Sequence, residues 1–321
     1  MANRLRPAHL AVVAGLAALL VLMLFMDIPF FRLQSRAAAR TVRVVTTTSV
    51  FADLIANVGG QRVEVTSLVP MGSDPHAWDP TPREIRAVRA ADLFVYNGLG
   101  LELWAPRLIE TAGRPGLVTL ELSEGLTPLE AAEGDWHPDE ADNGLHAHEG
   151  EEGNPHFWLD VTYAIHYVRR IAEALAAVDP QGAQYYYARA DAYVSELHEL
   201  DRWIFAQVER IPPERRILVT YHNAYAYLAR RYGLEVAGFL VTNPDREPPA
   251  QVMAQLARIL RERQVPAVFV EPQIDPRLAE TLAREVGARL GTLYTDSLTA
   301  DVPSYIAMMR ANVETLVELL H

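Results

Sequence analysis

The sequence predicts an α/β protein made of two doubly wound parallel-sheet lobes joined by one long helix. Strand-like, β-branched runs alternate with helical runs from residue 41 to about 121, and the alternation resumes from about 217 to the C-terminus. Such alternation is the pattern of parallel sheets covered by helices. Between the two series lies a helical stretch over about 180–210. At 1.5 Å per residue it would span about 45 Å, more than a small domain needs internally, so it reads as a connector.

The elements follow in order. "VRVVTTT" (42–48) is the first strand, with Ser49 as N-cap of a helix through about Val58. "VEVTSLV" (63–69) is the second strand, and "TPREIRAVRAA" (81–91) opens a helix with Thr and then Pro. "DLFVYNG" (92–98), a short helix in "LELWAPRLIE" and "GLVTLE" (116–121) complete the first series. Residues 124–155 are rich in Glu, Asp, Gly, Pro and His and read as an exposed loop. Helices are expected at about 160–178 and 180–210. The second sets Ala183, Tyr187, Ala190, Val194, Leu197, Ile204 and Val208 on one side at three-to-four spacing. Strands 217–220, 234–240, 267–270 and 288–294 then alternate with helices 223–231, 248–263, 276–286 and 302–320. The last helix aligns Val302, Tyr305, Met309, Val313, Leu316 and Leu320 as a core stripe. The expected organisation is a signal or anchor segment at 1–40, a first lobe at 41–179 with its acidic loop at 124–155, a linking helix at 180–210 and a second lobe at 211–321.

Composition narrows the function. The 321 residues are half apolar, enough for two buried cores. With 41 acidic against 29 basic residues the net charge is −12, which argues against nucleic acid as a partner and suits cations or simple solubility. There is no cysteine, so disulfides, thiolate metal sites, Cys nucleophiles and a lipid-bearing Cys are all excluded. At the N-terminus Arg4 and Arg6 precede an apolar run from Leu10 to Met26, ended by Asp27. That run exceeds the ~7–15 residues of a signal-peptide core and falls just short of the ~20 of a spanning helix. "AAAR" (37–40) offers a cleavage point after Ala39, but far from the apolar core. The favoured reading is a retained membrane anchor, with the rest of the chain exported.

Two stretches resemble each other: "SDPHAWDP" (73–80) and "NPHFWLD" (154–160) both carry Pro-His-x-Trp. Ligands of open α/β sheets gather beyond the carboxyl ends of the strands. There the sequence places His76, His222, Glu271 and Asp296, after four different strands, while His156 closes the acidic loop ahead of a helix. Each has an ordinary structural role available: a turn histidine, an N-capping Asp296, Trp78 and Trp158 as packing aromatics. Taken together, three imidazoles and a carboxylate suit a borderline divalent ion such as Zn, Cu, Fe or Ni, with the carboxylate also accommodating Mn. The lack of soft ligands argues against Cu(I), and three histidines argue against Ca or Mg. Pro75 and Pro155 restrict the backbone before each histidine, and the tryptophans could exclude water.

On these residues the chain resembles the zinc and manganese solute receptors of bacterial ABC importers. The resemblance runs through "VVTTTSVFADLIANVGG", "SLVPMGSDPHAWDPTPREI", "ADLFVYNGLGLELW", "NPHFWLD", "VTYHNAYAYLARRYGLE", "AVFVEPQ" and "LYTDSL". It implies two lobes bridged by one long rigid helix, with one ion between them. The implied ligands are His76 and His156 from the first lobe and His222 and Asp296 from the second, with Glu271 nearby as a supporting group. Within the family that this chain resembles, three histidines and an aspartate imply Zn2+, with Mn2+ as the alternative. The resemblance also implies an accessory metal-capturing role for His137, His146 and His148 in the acidic loop. The implied partners are an ABC permease and its ATPase subunits, reached by an extracytoplasmic monomer that the N-terminal segment tethers to the membrane. No catalytic residue is expected. A zinc hydrolase is the rival reading, but four protein ligands would close the site, Glu271 is the only spare base, and neither G-x-S-x-G nor H-E-x-x-H occurs. A receptor for an organic solute would share the two-lobed design without needing histidine at three loop ends.

Overall fold

A computed structural model describes residues 41–129, 153–241, 248 and 250–321. The apolar run at 10–26 and His137, His146 and His148 lie outside the described residues. Within 41–321, β1 (Val42–Thr46), β2 (Val63–Ser67), β3 (Leu93–Tyr96) and β4 (Val118–Glu121) form one sheet in the order β2-β1-β3-β4. A second sheet holds β5 (Ile217–His222), β6 (Glu235–Val241), β7 (Ala267–Val270) and β8 (Arg289–Thr292) in the order β6-β5-β7-β8. Every pairing is parallel. The two lobes thus share one topology, although their sequences show no repeat.

The helices are α1 (Ser49–Gly59), α2 (Pro82–Ala90), α3 (Ala105–Ala112), α4 (Val161–Val178), α5 (Ala183–Val208), α6 (Ala226–Tyr232), α7 (Ala250–Glu262), α8 (Arg277–Val286) and α9 (Tyr305–Leu320). Strands buried on both faces read as continuous apolar runs, and these strands divide their residues by alternation. Val42 and Val44 of β1, Leu93 and Val95 of β3, and Ala267 and Phe269 of β7 enter one continuous core shared with α1, α4, α5 and α9. Phe94 packs instead with Val88 and Leu108 on the outer face of the first sheet. Val268 and Val270 pack with Leu256 and Leu282 on the outer face of the second. The central core therefore spans both lobes.

The long connector is α5, 26 residues or about 39 Å. Its buried stripe contains Ala190, Val194, Leu197, Ile204 and Val208 as predicted, but Tyr186 replaces Tyr187, which is 47% exposed. A polar anchor explains the choice: the Tyr186 hydroxyl donates to Asp179 (2.8 Å), which also accepts from Arg62 (2.6 Å). The cap of α1 is likewise one residue earlier than expected. Thr48 Oγ1 accepts from Phe51 N at 3.4 Å. Ser49 Oγ is thereby free to accept from Leu298 N across the lobes at 2.8 Å. Val302 precedes α9 rather than starting it, and Ser304 is the cap, accepting from Ala307 N.

Candidate metal centre

The site begins with two turns of the same construction. Asp74 Oδ1 accepts from His76 N at 2.9 Å, and Asn154 Oδ1 accepts from His156 N at 3.0 Å. Each is an Asx side chain closing on the amide two residues ahead, over a proline that offers no competing N–H. That is the physical content of the repeated Pro-His motif. Asn154 does more: its Oδ1 lies 2.9 Å from His156 Nδ1, and its Nδ2 donates to Asn223 O in the second lobe at 2.8 Å. A proton on Nδ1 leaves the lone pair of His156 Nε2 directed into the site.

The second lobe supplies the other donors from the carboxyl edge of its sheet. His222 is the last residue of β5, and Asp296 follows β8. His156 Nε2 lies 3.4 Å from His76 Nε2, 3.3 Å from His222 Nε2 and 3.4 Å from Asp296 Oδ1. Asp296 Oδ2 lies 3.7 Å from His222 Nε2 and 3.9 Å from His76 Nε2. His76, His156, His222 and Asp296 thus place one donor each within 4.8 Å of all the others. Glu271 stands behind them, its Oε1 3.0 Å from His222 Nδ1, an ion-pair contact on the ring edge away from the centre.

Burial sharpens the electrostatics. Side-chain exposure is 10% for His76, 3% for His156, 1% for His222 and 0% for Asp296. Burial, reinforced by the charge on His222, pushes His76 down to about 3 and His156 well below its ordinary value. Burial would lower His222 too, but the carboxylates of Glu271 and Asp296 outweigh it and raise this imidazole to about 9. Burial lifts Asp296 to about 7 against the pull of His222. Both Asp296 oxygens are buried, with little beyond Thr295 to hydrogen-bond them. A buried carboxylate so sparsely bonded is costly, and a cation among these four side chains would satisfy it. The donor set fits a divalent metal.

The walls carry Trp158, one of the two tryptophans expected to exclude water, and residues that the sequence did not mark. Trp158 packs on the His156 ring at 5.3 Å between centroids, and its Nε1 donates to Thr295 O at 3.0 Å. On the other side of Asp296, Ser297 Oγ accepts from Gly72 N at 2.7 Å. Asp296 is thus held between two contacts with the first lobe. Trp78 is placed differently from Trp158. It packs on Trp104, whose Nε1 donates to Pro75 O at 3.0 Å. Asn97 Nδ2 donates to Pro155 O at 3.0 Å. Asp74 and Asn154 were visible as the repeated acidic or amide residue before Pro-His, but no local signal marked Trp104 or Asn97.

The two-lobed parallel-sheet fold has counterparts among known proteins. The chain is 35% identical over 280 residues to the manganese-binding lipoprotein MntA of Halalkalibacterium halodurans, covering 86% of this chain and 87% of that one. It is 32% identical over 289 residues to the iron-binding protein YfeA of Yersinia pestis, covering 87% and 86%. The structure of the periplasmic zinc-binding protein TroA from Treponema pallidum superposes with a TM-score of 0.76 at 29% identity, over 87% of this chain and 99% of that one. These relatives are named for binding manganese, iron and zinc. The family described as zinc-uptake complex component A, periplasmic, matches residues 44–319. With its donors converging between two lobes, this chain belongs to that family, ZnuA, and is a substrate-binding receptor of a metal ABC transporter.

Proposed function

We propose that the receptor carries Zn2+, held by His76, His156, His222 and Asp296 and handed to an ABC permease driven by its ATPase subunits. The spacing of the donors carries this reading. A tetrahedral ion with ligands at about 2.0–2.1 Å requires donors about 3.3–3.4 Å apart; the three contacts around His156, at 3.3, 3.4 and 3.4 Å, meet this, while those of Asp296 with His222 and His76, at 3.7 and 3.9 Å, would have to draw in by a few tenths of an ångström. Three neutral imidazoles also rank Zn2+ well above Mn2+ in affinity. All four donors come from one chain, so a monomer suffices.

A second reading, Mn2+ or Fe2+, is favoured by Asp296 itself. Both its oxygens face imidazole nitrogens, which would give five donors if the carboxylate chelates. Relatives named for manganese and iron fit that reading. Elemental analysis of the exported protein recovered from its own cells separates the two. One zinc per chain is expected, retained against excess Mn2+; protein recovered loaded with manganese would overturn the zinc assignment.

The receptor works outside the cytoplasmic membrane, like its lipoprotein relatives. Among the described residues no helix is long and apolar enough to cross a membrane. We propose that the run from Leu10 to Met26 supplies the tether that a cysteine-borne lipid would otherwise provide. A mature N-terminus at residue 40 would remove this proposal.

A further inference from the structure

We infer that the loop from Asn97 to Trp104, between β3 and α3, is a gauge that sets the separation of His76 and His156 and so selects among divalent ions by size. The inference rests on the four-donor site proposed above. Its starting point is a shared feature of the two Pro-His turns. In each, the carbonyl of the proline before the histidine accepts one side-chain hydrogen bond from this loop. Trp104 Nε1 donates to Pro75 O and Asn97 Nδ2 donates to Pro155 O, both at 3.0 Å. Each carbonyl belongs to the peptide unit that carries the histidine amide, so moving either moves a ligand. The two turns are 80 residues apart in sequence, and this loop grips both.

A gauge has to be stiff, and three features stiffen this one. Gly98, Leu99 and Gly100 have φ of 86°, 49° and 73°, a run of left-handed backbone in which the non-glycine Leu99 is strained. Gly98 is confined further, because a Cβ there would lie 2.2 Å from Glu121 Oε1. The loop's own amides are pinned from within. The buried Glu102 carboxylate accepts from Asn97 N at 3.1 Å and Gly98 N at 3.2 Å. It also accepts from Thr47 Oγ1, just past β1, at 2.6 Å. Asn97 is fixed at its other end, where Oδ1 accepts from the buried Tyr167 hydroxyl at 2.6 Å. Strain and buried polar groups are maintained here although none of these residues is one of the four donors. Their common output is the 3.4 Å between His76 Nε2 and His156 Nε2.

Asn97→Ala and Trp104→Phe test the gauge. The first frees Pro155 O; the second frees Pro75 O while keeping a ring against Trp78. Zn2+ and Mn2+ affinities are measured by chelator competition, together with the visible spectrum of the Co2+-loaded protein. Thermal unfolding of the metal-free protein checks folding. Each variant is expected to lose Zn2+ affinity about 10–100-fold, as for other groups that orient metal ligands, and to lose less for Mn2+. The Zn:Mn ratio then falls and the Co2+ bands shift. Either folded variant with the wild-type ratio and spectrum would overturn the gauge; if Asn97→Ala does not fold, Trp104→Phe decides. His156→Ala is run alongside. If it binds as wild type, the site itself is wrong and the gauge falls with it. If it loses binding while the loop variants behave as wild type, only the gauge falls.

Discussion

His222 Nδ1 and Glu271 Oε1 lie 3.0 Å apart with both side chains 1% exposed, so this imidazole faces a carboxylate on one edge and the metal centre on the other. A carboxylate behind a ligating histidine fixes its ring and raises its basicity. Glu271→Gln keeps the shape and removes the charge. Zn2+ affinity should fall about 10–100-fold by chelator competition. Unchanged affinity would make Glu271 a packing residue only.

Protons and metal ions compete for the same atoms. In the metal-free protein His222 is held up at about 9 and Asp296 at about 7, so below pH 7 both carry protons that an entering ion must displace. Between pH 7 and 9 only the proton on His222 remains. His76 and His156, pushed down by burial, are already neutral and contribute none. Affinity should therefore rise with pH, about tenfold per unit from 7 to 9 and more steeply below 7, then level off. The protons belong to the coupled His222–Glu271–Asp296 group rather than to single residues. Calorimetry in buffers of different ionisation enthalpy counts them, and no release at pH 7 would contradict the assignment.

Asp296→Asn should separate binding from stability. It replaces a carboxylate that burial pushes up to about 7, and that the charge on His222 offsets, with a neutral amide of the same shape, so the metal-free variant should be no less stable than wild type. The same change removes the anionic donor and should abolish tight binding. A metal-free variant less stable than wild type would mean that the carboxylate is better compensated than its contacts indicate.

The histidines of the acidic loop call for a kinetic experiment. Replacing residues 130–152 by a short Gly-Ser linker should leave equilibrium Zn2+ affinity unchanged, since all four central donors remain. Loading from dilute Zn2+ should slow if His137, His146 and His148 capture the ion first. Equal loading rates in stopped-flow would leave the loop no such role.

Much of this fold is legible in the sequence because its inner strands leave short runs rich in apolar and β-branched residues, such as "AVFV" and, interrupted only by the exposed Arg43, "VRVVT". The donors were legible for a related reason: polar groups cannot hide at the ends of such runs, so His76, His222 and Asp296 stand out. Finer choices were set by partners far away in the chain. Thr48 displaces Ser49 as cap because Ser49 is engaged with Leu298, and Tyr186 displaces Tyr187 because Asp179 receives its hydroxyl. Asn97 and Trp104 look like an ordinary loop residue and a packing aromatic until Pro155 and Pro75 are brought beside them. The shared topology of the lobes was hidden too, because strand order depends on pairing and not on local pattern.

The core that runs through both lobes has a consequence for how cargo is announced. Trp158 of the first lobe bonds Thr295 of the second, and the Tyr305 hydroxyl bonds Trp158 O at 2.7 Å in the same dry interior. Gaping like a clamshell would wet these rings, so full and empty receptors should differ in the set of a few surface turns. A transporter that tells them apart must feel that small difference, and the work of prying the ion loose then falls to the machine that receives it.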